Sequence, residues 1–415
     1  LVYILVLATL WKILTGAVKW KSSLIDVPFL LFLVAIFATT VVNVVNPLDA
    51  MLGSRQILRF ILLFFVTLYL APTRKWMKTV FIGLLAILAF QAFLGYSQFL
   101  FGETIDSFLL PSESRTVGEV QLTSGTVQFW DPGQRVFGTL GRYDRLGVFM
   151  AFVMLIMVSC LYEPKLKKYH KTLMVLLIAS LPVLALTYSR SAWFGFLLGF
   201  LFIALWAKRD RRIAVVSGIL VVFMFIYLGV TGLVVNRLID VPDQNITERF
   251  FEAFSYERWR GEYYGLGRLF WIVQTITEVV PASPIFGHGP SMYGGGAVAA
   301  LSNTDVYDSL NLPFGVYGTE GYIDNNWLSL WGETGTLGFA MYLWLYISLF
   351  FLCVRVYRRS DSAQTRALAL GIAAAMIAAT LNAFLATFFE VRTFAPYIWV
   401  SAALVVVQGS RERIL

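Results

Sequence analysis

Residues 208–235 read KRDRRIAVVSGILVVFMFIYLGVTGLVV. Four basic residues among the first five lead into residues 213–235, a run of 23 without a single charge. A helix of that length rises roughly 35 Å, enough to cross a hydrocarbon core of about 30 Å. A membrane barrel would instead show short alternating segments. The basic flank marks a cytoplasmic end, so the chain runs outward here.

Ten further apolar runs lie on either side: 1–18, 27–46, 57–71, 79–101, 146–162, 172–188, 192–207, 336–356, 367–388 and 396–409. The fold class expected is an all-α integral membrane protein with eleven visible spans. The composition agrees, since 58% of residues are hydrophobic and 14% charged, against about 45–50% and about 25% in soluble domains. A cytosolic enzyme, a secreted disulfide scaffold and a disordered chain are excluded. Cys160 and Cys353 both sit inside apolar runs, where they build no disulfide framework.

Orientation follows from Lys and Arg. With the 19–26 connection in the cytoplasm, that side holds 19 basic and 5 acidic residues, from Lys19 and Lys21 through Arg411 and Arg413. The other side holds 13 Arg, no Lys and 20 acidic residues. The net charge of +8 therefore reflects the positive-inside rule and does not point to nucleic acid. An odd span count places the C-terminus in the cytoplasm and Leu1 outside. A chain beginning at Leu1 is then expected to lack one N-terminal helix of about twelve.

The expected organisation has three parts. Residues 1–235 carry eight spans with an external loop at 102–145; 236–335 form a large extracytoplasmic loop; 336–415 carry the last three spans and the cytoplasmic C-terminus. A loop of that length is usually functional or structured, so the chemistry is expected outside. No GxxxxGK[ST] or GxGxxG loop is present, which argues against nucleotide chemistry.

Within the large loop, ITERFFEAFSYERWRGEYY (246–264) predicts an amphipathic helix capped by Thr247, lying on the outer membrane face or against the spans. GRLFWIVQTITEVV (267–280) predicts a second helix closed by Pro281, with Arg268 in its first turn. A cation there opposes the helix dipole; with the free N–H groups it would make an anion site, or it is simply solvated. His288, between glycines in ASPIFGHGPSMYGGG, reads as a turn residue. With His170 the only other His, no metal-ligand spacing exists and no metal is expected. In GYIDNNWLSLWGETGTLGF (321–339), Asp324 and Asn325 cap a helix beginning near Asn326 and leading to Glu333, Gly335 and Gly338. The carboxylates there are either caps or candidate bases.

Other external arginines cluster near span ends: Arg190 in the tight Tyr188–Ser191 turn, Arg55 and Arg59 at the third span, Arg142 and Arg145 before the fifth. Guanidinium suits bidentate phosphate recognition, and headgroup snorkelling is an equal alternative. Trp259, Trp271, Tyr293, Tyr307, Tyr317, Tyr322 and Trp327 offer faces for sugars or an interfacial belt.

Four stretches together resemble the O-antigen ligase/polymerase superfamily, polytopic glycosyltransferases of GT-C type. They are RVFGTLGRYDRLGVFMAF (135–152), SRSAWFGFLLG (189–199), GRLFWIVQTITEVVPASPIFGHG (267–289) and DNNWLSLWGETGTLG (324–338). The resemblance implies a donor glycan on undecaprenyl pyrophosphate at the outer, periplasmic face of a bacterial inner membrane. An acceptor glycan attacks it and no cofactor takes part. Where the family's ligases have His, this chain has Asp324, which tilts the expectation toward a polymerase; a ligase acting on lipid A core or protein is the alternative. The resemblance implies Asp324, Arg268 and Arg190 as catalytic, and Arg142, Arg145, Ser189, Ser191, Asn325, Tyr322 and Trp271 as substrate-binding. It leaves room for a chain-length regulator as partner. A transporter or flippase is disfavoured: no internal repeat is convincing, and Lys12 and Asn382 are the few polar residues well inside spans.

Overall fold

The computed structural model describes all residues except 1, 19–22, 111–113, 118–119, 124–133, 240–243 and 319. The expected positions of Leu1, Lys19 and Lys21 thus lie outside the described residues. The helices in order are α1 (Val2–Leu14), α2 (Asp26–Val42), α3 (Pro47–Leu70), α4 (Arg74–Phe101), α5 (Glu103–Leu109), α6 (Tyr143–Leu161), α7 (Lys167–Leu186), α8 (Arg190–Leu201), α9 (Arg211–Val235), α10 (Ile246–Phe251), α11 (Tyr256–Tyr264), α12 (Arg268–Gln274), α13 (Val280–Ala282), α14 (Gly296–Leu301), α15 (Asp305–Ser309), α16 (Asn326–Arg359), α17 (Ala363–Ala383) and α18 (Ala395–Arg411). The chain is an all-α integral membrane protein. One small exception is an antiparallel hairpin of Ser114–Val117 with Val120–Thr123, which the sequence reading missed.

A helix falls on each of the eleven expected spans. Eight described helices are long and apolar enough to cross a membrane. The remaining three, α1, α2 and α18, have 13, 17 and 17 residues. Thirteen residues rise only about 20 Å, short of the hydrocarbon thickness.

The buried centre is α6 and α17, packed on each other and on α8 and α16. The α17 sequence is rich in small residues, ALALGIAAAMIAAT, and small residues let helix backbones approach closely. A Cβ on Gly371 would lie 2.7 Å from Ile156 Cα, and one on Gly199 3.0 Å from the Ala374 carbonyl. The other extreme is α9, which buries only Val235.

At one end of the bundle, Arg366 pairs with Glu163 at 2.6 Å and Arg74 with Glu412 at 3.7 Å. The 236–325 elements gather at the other end, against the starts of α8 and α16 and the close of α17.

α16 runs from the loop region into the bundle but is broken at Gly335 (φ 63, ψ −176). The break strands backbone groups in a buried place, and each needs a partner. Residues 284–289 supply them. His288 N–H donates to the Gly332 carbonyl (2.8 Å) and Gly289 N–H to that of Glu333 (2.9 Å); Thr336 N–H donates to Pro284 O (3.0 Å). The contact is so close that a Cβ on Gly335 would stand 2.3 Å from Ile285 O, and one on Gly287 2.3 Å from Gly335 N. The Gly-His-Gly and Glu-Thr-Gly motifs are therefore two halves of one joint.

Gly335→Ala should lower the thermal unfolding midpoint in detergent, by an amount corresponding to about 1–3 kcal/mol of backbone strain plus the clash. Gly229→Ala, inside α9 where nothing lies within 4 Å, should leave it unchanged or raise it slightly. Equal midpoints for Gly335→Ala and the parent protein would refute the joint.

Candidate active site

The tight turn before α8 is held by its own backbone. Tyr188 is left-handed (φ 53), Thr187 Oγ1 donates to Leu184 O (2.7 Å) and Trp193 Nε1 to the same carbonyl (2.8 Å). Ser189 and Ser191 hydroxyls meet at 3.2 Å. Arg190 leaves this rigid turn and reaches Glu252, Nη1 to Oε1, at 2.8 Å.

Glu252 sits in an elbow. The expected single helix over 246–264 is two helices, α10 and α11, joined by a 3-10 turn at Glu252–Phe254. Its cap is Asn245, in a capping box with Glu248, and not Thr247. Ser255 restarts the chain as the cap of α11 and ties it down by donating to Leu238 O (2.6 Å). Phe250 and Phe254 pack on Phe194, and Phe251 stacks on Tyr227 at 4.4 Å. These aromatics seat the elbow on α8 and α9 and turn Glu252 inward, fully buried.

Three arginines converge on that carboxylate: Arg190, Arg249 at 3.0 Å and Arg258 at 2.7 Å. Arg258 also bonds Glu262. Glu262 accepts the Arg268 backbone N–H (2.8 Å) and faces its guanidinium at 3.6 Å. The first turn of α12, open between an anion site and a solvated arginine, is occupied by a carboxylate of the chain itself. Burial raises the Glu262 pKa, but Arg268 and Arg258 prevail and hold it below the ordinary 4.5.

Arg268 completes the line. Its Nε donates to Leu385 O just beyond α17 (2.9 Å), and its Nη2 faces Asp324 Oδ2 at 3.4 Å. Asp324 is left-handed (φ 50), and its side chain is 37% exposed. It does not cap α16; Asn325 does, accepting from Leu328 N–H (3.1 Å) and donating to Phe384 O (3.1 Å).

Arg142, at the start of α6, pairs with Asp144 at 3.0 Å. Asp144 first, and more weakly Asp324, raise its pKa, so it is a permanent cation beside Asp324. Arg145 and Tyr322 stand close enough to influence each other. Glu320 is raised above 4.5 by burial and by the charge of Asp324.

The structure thus brings Asp324, Arg268, Arg142, Arg145 and Tyr322 into one neighbourhood and joins Arg190 to it through Glu252, Arg258 and Glu262. Two assignments change. Asn325 is fully buried with both amide ends used, so it shapes the site and does not reach a substrate. Trp271 is fully buried in a second core with Tyr293, Tyr307 and Ile323, leaving no face for a sugar. Trp327 likewise belongs to the bundle core, and the Tyr317 side chain lies outside what is described. His288 is a turn residue whose Nε2 meets Val279 O at 2.9 Å, and burial keeps its pKa below 6.5.

Glu333 is not an accessible base. It is 2% exposed and accepts from Ser291 N–H (2.9 Å). Near it, Glu390 accepts from Gly296 N–H (3.1 Å) and from Gln56. Arg59 donates to the Glu390 carbonyl (2.7 Å). These acids clamp the glycine-rich 287–296 segment to α3. Sequence reasoning missed Glu252, Glu262, Arg249, Arg258 and Glu390. The i,i+3 and i,i+4 spacing of Arg249–Glu252 and Arg258–Glu262 was a signal, but it looks the same on a solvated helix.

Residues 173–343 match the family model described as O-antigen ligase. Over that segment the chain is similar to the O-antigen ligase family. No curated protein matches it. The matched segment contains Arg190, Glu252, Glu262, Arg268 and Asp324, while Arg142 and Arg145 lie before it. The likeness is compatible with an enzyme of lipid-linked glycan in a membrane.

A carboxylate with a lowered pKa stabilises the fold above its unfolded value and loses that contribution as pH falls through the folded value. For Glu262 the loss falls below about pH 4.5. Unfolding midpoints followed from pH 7 to pH 3 should therefore drop more steeply in the parent than in Glu262→Gln. Parallel curves would remove Glu262 from the network's energetics.

Proposed function

We propose that the protein polymerises undecaprenyl-pyrophosphate-linked oligosaccharide repeats at the outer face of the cytoplasmic membrane. The single observation that carries this reading is the Arg268–Asp324 pair, held where the large loop meets α16 and α17. In the proposed step an acceptor hydroxyl attacks the anomeric carbon of the donor. The bond from that carbon to the pyrophosphate oxygen breaks, and polyprenyl pyrophosphate leaves with the electron pair. The hydroxyl proton passes to Asp324 or to the departing phosphate.

Negative charge grows on the leaving oxygen in such a step, and fixed cations stabilise it best because they need no reorganisation. Arg268 and Arg142 flank Asp324, and Arg190 is locked by Glu252. Tyr322 and Arg145 lie nearby for sugar and phosphate contacts, and Ser189 and Ser191 are assigned to the same role from the turn that carries Arg190. The pyrophosphate bond is already activated, so the reading needs no cofactor.

The matched family description favours a second reading, a ligase that passes the glycan to lipid A core or protein. Against it stands Asp324 at the position where the resembling ligases have His. A chain-length regulator belongs to the polymerase reading as a further partner.

Purified protein mixed with the lipid-linked repeat alone should give a ladder of lipid-linked polymer. Transfer only after lipid A core or protein is added would make it a ligase. Asp324→Asn and Arg268→Ala should each lower the rate by at least about a hundredfold while leaving the folded yield intact. Normal polymer length in either variant removes its role.

A further inference from the structure

A cavity of about 460 Å³ opens at the opposite end of the bundle from Asp324. Trp206, Lys208, Arg209, Tyr357, Arg358 and Arg366 line it. Four of these six are cations. Arg366 is neutralised by Glu163, in a two-pronged contact at 2.6 and 3.2 Å. Lys208, Arg209 and Arg358 make no ion pair among the described residues. The neighbouring Asp210 is engaged by the Tyr162 hydroxyl at 3.0 Å and by Arg212 N–H at 3.0 Å.

The cations are arranged, not loosely splayed. Lys208 Nζ stands 5.3 Å from the Tyr357 ring centre, and the Arg358 guanidinium 5.1 Å from that of Trp206. The Tyr357 hydroxyl donates to Ala207 O at 3.3 Å, linking the ends of α8 and α16. The last turn of the α8 span, Phe202–Ala207, is wound as a π-helix, a feature frequent at functional sites. Arg209 follows with φ 50, an uncommon conformation for a bulky residue. Burial pushes the Lys208 pKa down, so its charge is held with incomplete solvation.

The surroundings select the source of the anion. Trp206, at the cavity wall, is 45% exposed, and Phe351 one turn or more along α16 is 61% exposed. The adjacent α9 presents almost its entire apolar length outward. A ligand entering here with acyl chains would find continuous hydrocarbon-facing surface beside a cationic pocket, the arrangement by which basic pockets between helices hold anionic headgroups. A free phosphate would use the cations and none of that surface.

We propose that this cavity binds the phosphate headgroup of an anionic phospholipid in the basic-end leaflet. The site is separate from the Arg268–Asp324 centre and does not depend on which reaction that centre performs.

The test is native mass spectrometry of the purified full chain with phosphatidylglycerol, phosphatidylcholine or inorganic phosphate. Phosphatidylglycerol should be retained and phosphatidylcholine should not. Lys208→Gln combined with Arg358→Gln should weaken retention roughly thirtyfold, the loss expected for two interfacial cations. Lys75→Gln with Lys78→Gln, on the same end outside the cavity, should change it little. Retention by the parent should also fall as salt rises, a measurement that needs no variant. Equal retention of phosphatidylcholine, or undiminished retention in the Lys208/Arg358 variant, would overturn the proposal. So would inorganic phosphate displacing the lipid at comparable concentration, which would mark a plain phosphate site.

Discussion

Arg190, Arg249 and Arg258 meet at one carboxylate, Glu252, that has no contact with solvent. Guanidinium groups so close would repel one another strongly in a medium of low effective dielectric. A shared acid is what allows them to coexist, and its own burial is tolerable only because three cations surround it. The arrangement fixes the α8 turn to the α10–α11 elbow. Glu262 repeats the device one step farther on, taking Arg258 on one side and Arg268 on the other. The line of charge ends at Asp324, the first partly exposed acid in the series.

Such a line demands a stiff support. The packing of α17 on α6 and α8 supplies it, because Gly371 and Gly199 let backbones approach to distances at which even one methyl group would intrude. The C-terminal end of α17 then presents Phe384 O to Asn325 and Leu385 O to Arg268. The Gly335 joint carries the same rigidity into the loop region. Small residues in the membrane and charge pairing outside it are therefore two parts of one positioning system.

The sequence announced the membrane helices because apolar runs and Lys/Arg asymmetry are one-dimensional signals. It announced Arg190, Arg268 and Asp324 because they sit at turns and helix starts, in motifs that resemble a known family. It could not show that Asn325 and Trp271 turn inward, since an amide and an indole look alike whether they face a sugar or a core. Nor could it distinguish Glu252 and Glu262 from solvated helix charges. That depends on the kink at Ser255 and on which face the Phe250, Phe251 and Phe254 rings cover. The expected single helix over 246–264 would have carried these acids along a different surface. The Gly335 break was equally hidden: a helix is readable from periodicity, but its interruption is set by the distant segment 284–289.

Asp324 gives the proposed reaction its particular electrostatic problem. A neutral imidazole at that place would leave the guanidinium groups free to serve the donor alone. A carboxylate instead takes up part of the Arg268 charge at 3.4 Å, a contact long enough to yield when a stronger anion arrives. Arg142, whose cation is anchored to Asp144, is a second positive charge acting on Asp324.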